Sequence, residues 1–75
     1  MVKVYSTKVC PFCVSLKQFL KDHKIEFEDL DVGENLEARE EMIEKSSQMG
    51  VPVIDIDGEI VIGFDKTRIS QLLKL

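Results

Sequence analysis

Val2-Lys3-Val4-Tyr5-Ser6-Thr7-Lys8-Val9-Cys10-Pro11-Phe12-Cys13 passes from a strand pattern straight into a helix start. Val2 and Val4 alternate with Lys3 and Tyr5, the two-residue period of a short strand. Ser6 to Val9 reads as a loop. Pro11 then opens a helix, because its ring presets φ and its missing N–H would have found no partner in the first turn. Phe12, Leu16, Phe19, Leu20 and His23 recur behind it at helical spacing. Lys17, Lys21 and Lys24 fall on other faces, and the later ones suit the negative end of the helix.

Further along, Ile25 to Val32 reads as a second strand, acidic on alternate positions. Asn35 can cap a second helix from Leu36 to about Ser47, with Glu41 and Lys45 as a well-oriented i,i+4 pair. Val53 to Ile56 and Ile60 to Ile62 are β-branched runs joined across Asp57-Gly58, a short-range hairpin signal. Asp65 caps a third helix, with Phe64 and Ile69 at the spacing of a hydrophobic staple. Ile69, Leu72 and Leu73 give that helix one apolar face. The order is strand, helix, strand, helix, strand, strand, helix. A right-handed crossover makes the first two strands parallel, and the hairpin makes the last two antiparallel. The expected fold is α/β, a four-stranded mixed sheet covered by three helices.

At 75 residues and 8.6 kDa the chain has room for a single domain, residues 1–75. A 44% hydrophobic share, with only four Gly and two Pro, excludes a low-complexity chain. No apolar run approaches the ~18 residues of a membrane span, and the N-terminal strand lacks a signal peptide's apolar stretch. A monomer in the cytoplasm, away from membranes, is the expectation. The net charge of −4 argues against nucleic acid as a partner. That charge is uneven: residues 1–24 carry five lysines against Asp22, while residues 25–44 carry nine acids against Arg39. The acidic block reads as a solvated face, or as a docking surface for a basic partner.

Both cysteines lie in the basic block, four positions from end to end. Two cysteines make no disulfide scaffold, and a bridge over so short a loop stabilises little. The pair points to reactivity or to metal. Cys10 sits where unpaired N–H groups and the helix dipole favour an anion, so its thiolate is stabilised, and Lys8 can add positive potential. Cys13 follows about one turn later, within reach of a disulfide. Cys10 is then the exposed nucleophile and Cys13 the shielded resolving thiol. A Cys-x-x-Cys is also half of a zinc site, but zinc wants two more ligands. There is no third Cys, and His23 lies about 15 Å along the helix from Cys13. His23 reads as a helix-end residue, and Met42 and Met49 read as packing rather than ligands. Before the third strand, Gly50-Val51-Pro52 permits two readings: Pro52 simply starts the strand, or Val51–Pro52 is a cis bond exposing backbone beside the dithiol.

Thr7-Lys8-Val9-Cys10-Pro11-Phe12-Cys13, Met49-Gly50-Val51-Pro52-Val53 and Ile62-Gly63-Phe64-Asp65, in that order, resemble the small glutaredoxins of the thioredoxin-like fold. The resemblance covers residues 2 to 73. It implies a thiol-disulfide oxidoreductase, with Cys10 attacking and Cys13 resolving, no bound cofactor and no metal. It also implies a cis Pro52. Disulfide-containing proteins are the implied substrates, with glutathione as a co-substrate or a thioredoxin-reductase-type protein as electron donor. Lys8 matches the family's lysine for the glycine carboxylate of glutathione. Pro11 and Phe12 match the residues between the cysteines, and Val51 the residue whose backbone pairs with the tripeptide's cysteine.

Three positions depart from the glutathione-binding pattern. Gly50 stands where Thr is frequent. Gly63 is followed by Phe64 instead of a second glycine, and the acid, Asp65, comes one place early. Gly63-Phe64 is similar to the small redoxins that serve ribonucleotide reductase and draw on thioredoxin reductase. Asp65 has a structural reading as a helix cap beside its reading as a γ-glutamyl contact. The rival class is a metal or iron–sulfur binding module built on the Cys pair. Iron–sulfur glutaredoxins generally lack Pro after the first Cys, so Pro11 weighs against a cluster.

Overall fold

A computed structural model describes all 75 residues. Its elements are β1 (Val2–Ser6), α1 (Pro11–Asp22), β2 (Glu28–Asp31), α2 (Leu36–Ser46), β3 (Val53–Ile56), β4 (Glu59–Ile62) and α3 (Lys66–Leu73). The sheet order is β2-β1-β3-β4. β1 runs parallel to β2 and antiparallel to β3, and β3 is antiparallel to β4. The mixed four-stranded sheet with three helices expected from the sequence is therefore present.

Strand alternation sorts the core into two layers. Val2, Val4, Ile54 and Ile56 face α1 and α3, where they pack with Leu16, Phe19, Leu20 and Ile69. Tyr5 and Val53, one position out of phase, face α2 and pack with Ala38 and Met42. Both faces of the two central strands are covered, so β3 is buried at all four positions. Tyr5 and Asp55 carry polar atoms into the α2 layer, where each finds partners. The Tyr5 hydroxyl donates to Glu41, while Lys45 donates to Tyr5 at 3.2 Å and to Asp55 at 2.7 Å. No buried side-chain nitrogen or oxygen is left without a hydrogen-bond partner.

The second strand is shorter than the expected Ile25 to Val32. α1 closes through Lys24, which takes a left-handed φ of 57°, and the Ile25 amide bonds back to the Leu20 carbonyl at 2.9 Å. Ile25 is thus used as a helix cap, and pairing with β1 starts only at Glu28, opposite Lys3. Ile25 and Phe27 still pack against the core. α2 ends at Ser46, and Ser47 follows with φ 60°. β4 begins one residue earlier than expected, at Glu59, opposite Ile56. Asp57 and Gly58 turn between them with φ 50° and 95°, the two positive values a two-residue hairpin turn requires. The expected caps form: Asn35 accepts from the Ala38 amide, and Asp65 from the Arg68 amide. No helix is long and apolar enough to cross a membrane.

Candidate active site

β1 ends at Ser6, a short loop follows, and Cys10 occupies the N-cap of α1 in extended conformation with Pro11 behind it. The Cys10 carbonyl accepts the first helical bond, from Val14, at 3.2 Å. Its sulfur takes the role that a Ser or Asp oxygen normally fills, accepting from the Cys13 amide at 3.3 Å. The helix end thus gives that sulfur a backbone N–H donor at the positive end of the helix dipole. Cys10 is partly exposed and Cys13 fully buried, both as free thiols. Burial pushes the Cys13 thiol up to about 11, and the neighbouring Cys10 sulfur adds to the rise. The Thr7 backbone amide and the Lys17 charge pull the other way. One sulfur is open to an incoming disulfide, and the other is held protonated beneath it.

Around the dithiol, Phe12 is 67% exposed and Pro11 is also exposed. Phe12 does not join the buried stripe its helical spacing suggested, because Cys13, Leu16 and Leu20 form the inward row instead. Lys8 lies at the surface with its ammonium 2.7 Å from the Glu34 carboxylate. That neighbour raises the Lys8 pKa and offsets the charge it could lend to Cys10. Val51–Pro52 is cis, as the resemblance implied. The loop before it is clamped by Gln48, whose side-chain amide accepts from the Gly50 N–H at 2.7 Å and donates to the Gly50 carbonyl at 3.0 Å. A Cβ at Gly50 would sit 2.7 Å from that Gln48 oxygen, so a side chain there would have to displace the Gln48 amide. The Pro52 carbonyl accepts from Gly63 at 2.8 Å, so the Pro52 and Gly63 loops are joined. Phe64 turns inward, edge-on to Phe19 of α1 with ring centroids 5.7 Å apart. Asp65 is exposed, and its carboxylate caps α3.

Residues 2–61 match the glutaredoxin family model. The chain belongs to the glutaredoxin family. It is 47% identical over 74 residues to a glutaredoxin-like 8.6 kDa protein of the rubredoxin operon of Clostridium pasteurianum, covering 99% of each chain. It is 37% identical to the glutaredoxin-like protein NrdH of Lactococcus lactis, over all of this chain and 99% of that one. Among solved structures it is similar to the thioredoxin-like protein BC3987, with a TM-score of 0.91 and 35% identity over 96% of this chain and 99% of that one. This glutaredoxin-like chain is a thiol-disulfide oxidoreductase of thioredoxin-like fold, acting on disulfide substrates with a reductant partner.

Several residues at the glutaredoxin site escape a linear reading. Ser6, Lys17 and Asp29 form a hydrogen-bonded triad beside the dithiol helix: Ser6 donates to Asp29 at 3.0 Å, and Lys17 donates to Ser6 at 3.3 Å and to Asp29 at 3.2 Å. Glu34 and Gln48 are likewise absent from the motifs. Only Lys17 carried a sequence signal, its position four residues beyond Cys13 on one helix. His23 ends α1, its ring 4.5 Å from that of Phe19. No group of three or more His, Cys, Asp or Glu side chains is arranged to hold a metal within the chain.

Proposed function

We propose that this glutaredoxin reduces protein disulfides through Cys10, with Cys13 as resolving thiol, and that a thioredoxin-reductase-type protein recharges it better than glutathione does. The observation that carries the chemical assignment is the exposure difference between the two sulfurs across one helical turn. Cys10 attacks a substrate sulfur and releases the first thiol. Cys13 then attacks Cys10, releases the second thiol, and leaves an internal disulfide. Two electrons pass from the dithiol to the substrate. No bound cofactor enters the cycle, and the chain works as a monomer.

The donor preference is supported by what the expected glutathione contacts are doing. Lys8 already holds a carboxylate, Glu34, and Asp65 is committed to the Arg68 amide. Phe64 replaces the second glycine and is anchored on Phe19. Val51 is left as the remaining anchor that the family resemblance assigns to an extended thiol peptide. Recycling of the oxidised protein with glutathione plus glutathione reductase, against thioredoxin reductase with NADPH, tests the preference. Faster turnover with thioredoxin reductase is expected, and Phe64→Gly is expected to raise the glutathione rate. Efficient turnover with millimolar glutathione in the wild type, unchanged by Phe64→Gly, overturns it.

A further inference from the structure

Gln48 stands just before the Val51–Pro52 junction, and its side chain is wholly spent on the backbone around it. Its amide oxygen accepts from the Gly50 N–H at 2.7 Å, and its amide nitrogen donates to the Gly50 carbonyl at 3.0 Å. The same nitrogen donates to the Ser46 hydroxyl at 3.3 Å, and that hydroxyl donates to the Met42 carbonyl in α2 at 2.6 Å. Gly50, the residue type with the most backbone freedom, is thus tied to the end of α2 through one side chain. On the other side, the Pro52 carbonyl is held by the Gly63 amide at 2.8 Å. Val51 lies half-buried between these two fixed points, and neither its N–H nor its carbonyl bonds to another group of the chain. Val53 pairs with Tyr5 in antiparallel register, so the segment before Val53 and the loop from Ser6 to Cys10 leave the sheet at the same end. A free donor and acceptor on one residue at that end suit an extended peptide, whose backbone offers the matching pair.

We infer that Gln48 is a positioning residue for substrate: by locking both backbone groups of Gly50, it holds the Val51 N–H and carbonyl ready for an extended disulfide-bearing peptide as Cys10 attacks. This rests on the proposed role of Cys10 as nucleophile. Without the clamp, the peptide has to order Gly50 as it binds. Ordering the backbone of one residue costs about five- to thirtyfold in affinity. A disulfide that has no peptide backbone gains nothing from the clamp and loses nothing with it.

Stopped-flow reaction of the reduced protein with two neutral disulfides separates docking from chemistry. One is an end-blocked peptide disulfide; the other is dithiodipyridine, which has no peptide backbone and releases a thiopyridone when Cys10 attacks. Gln48→Met keeps the length of the side chain and removes its amide. It is expected to slow the second-order reaction with the peptide about five- to thirtyfold, and to leave the dithiodipyridine rate unchanged. That unchanged rate is the check on folding and on Cys10. Gly50→Ala places a Cβ 2.7 Å from the Gln48 oxygen, so it is expected to displace the same amide and give the same loss. The double variant is expected to be no slower than either single one, because both remove one contact. An unchanged peptide rate in Gln48→Met, equal slowing with both disulfides, or losses that multiply in the double variant overturns the inference while leaving the cysteine roles standing. A wild type that releases no thiopyridone overturns both.

Discussion

The backbone amide of Cys13 donates to the sulfur of Cys10 across 3.3 Å, so the residue proposed to resolve braces the proposed nucleophile before any substrate arrives. The same bond makes Cys10 a helix cap, and this gives the two cysteines separable failure modes. Serine is a good N-cap, so Cys10→Ser should keep the fold within about 0.5 kcal/mol of wild type while abolishing reductase activity. Cys13→Ser keeps that amide in place and should accumulate a mixed disulfide at Cys10 with a disulfide substrate. Mass spectrometry of both variants after exposure to oxidised substrate checks this. An adduct on the Cys10→Ser protein would reverse the roles.

Alkylation should show the same asymmetry. Burial and a pKa near 11 keep Cys13 unreactive at neutral pH, whereas Cys10 is accessible. Brief iodoacetamide treatment of the reduced native protein is expected to add one label, on Cys10. A second label appearing at the same rate would contradict the burial of Cys13.

These assignments draw on features legible in the sequence to different degrees. The β1–α1 junction was readable because a two-residue period, Pro11 and a helical row follow one another without a break. The hairpin was readable because Asp57-Gly58 names its own turn. Ile25 and Phe27 were not, since apolar residues that pack beside a helix cap look like a strand until pairing partners are known. The Lys8–Glu34 pair spans 26 positions and the Ser6–Asp29 bond spans 23, and neither leaves a periodic trace. The fold follows from local pattern, whereas the electrostatics of the site depend on which charges the sheet brings together.

Glu34 offers a direct view of the donor question. It occupies Lys8, the cation that the family resemblance assigns to a glutathione carboxylate, through a pair exposed on both sides. Exposed pairs compete weakly, so Glu34→Gln should improve the glutathione KM by only about two- to fivefold. Turnover with thioredoxin reductase should not change. A larger gain would mean that Glu34, rather than Phe64, sets the preference.

Ser47 closes α2 with φ 60°, a conformation in which an L side chain crowds the backbone. Its amide still bonds to the Ile43 carbonyl at 2.8 Å, so the backbone is committed to the turn. Ser47→Gly should therefore stabilise the protein by about 0.5 to 1 kcal/mol, read as a higher urea midpoint at constant slope. The site lies outside the dithiol, and activity should be unaffected.

The polar group between the sheet and α2 predicts how the fold meets acid. The Tyr5 hydroxyl, with Lys45 and Lys3 beside it, holds Glu41 down at about 2. Burial alone would raise Asp55, but Lys45 and the Gly58 amide outweigh it and hold that carboxyl below its usual range. Both groups take up protons in the unfolded chain near pH 4 and in the folded chain only lower down. Across that window the unfolded state binds more protons, so stability is full above about pH 5.5 and falls as pH drops towards 2. Urea midpoints measured from neutral pH downward should trace that fall. Lys45→Met leaves the Asp55 carboxylate buried without its cation, at a cost of about 2 kcal/mol near neutrality, below the range for a fully buried pair because Lys45 is about one-third exposed. Asp55 in that variant protonates more readily, so the gap to wild type should narrow as the pH falls. A gap that stays constant with pH would show that Lys45 contributes packing and not charge.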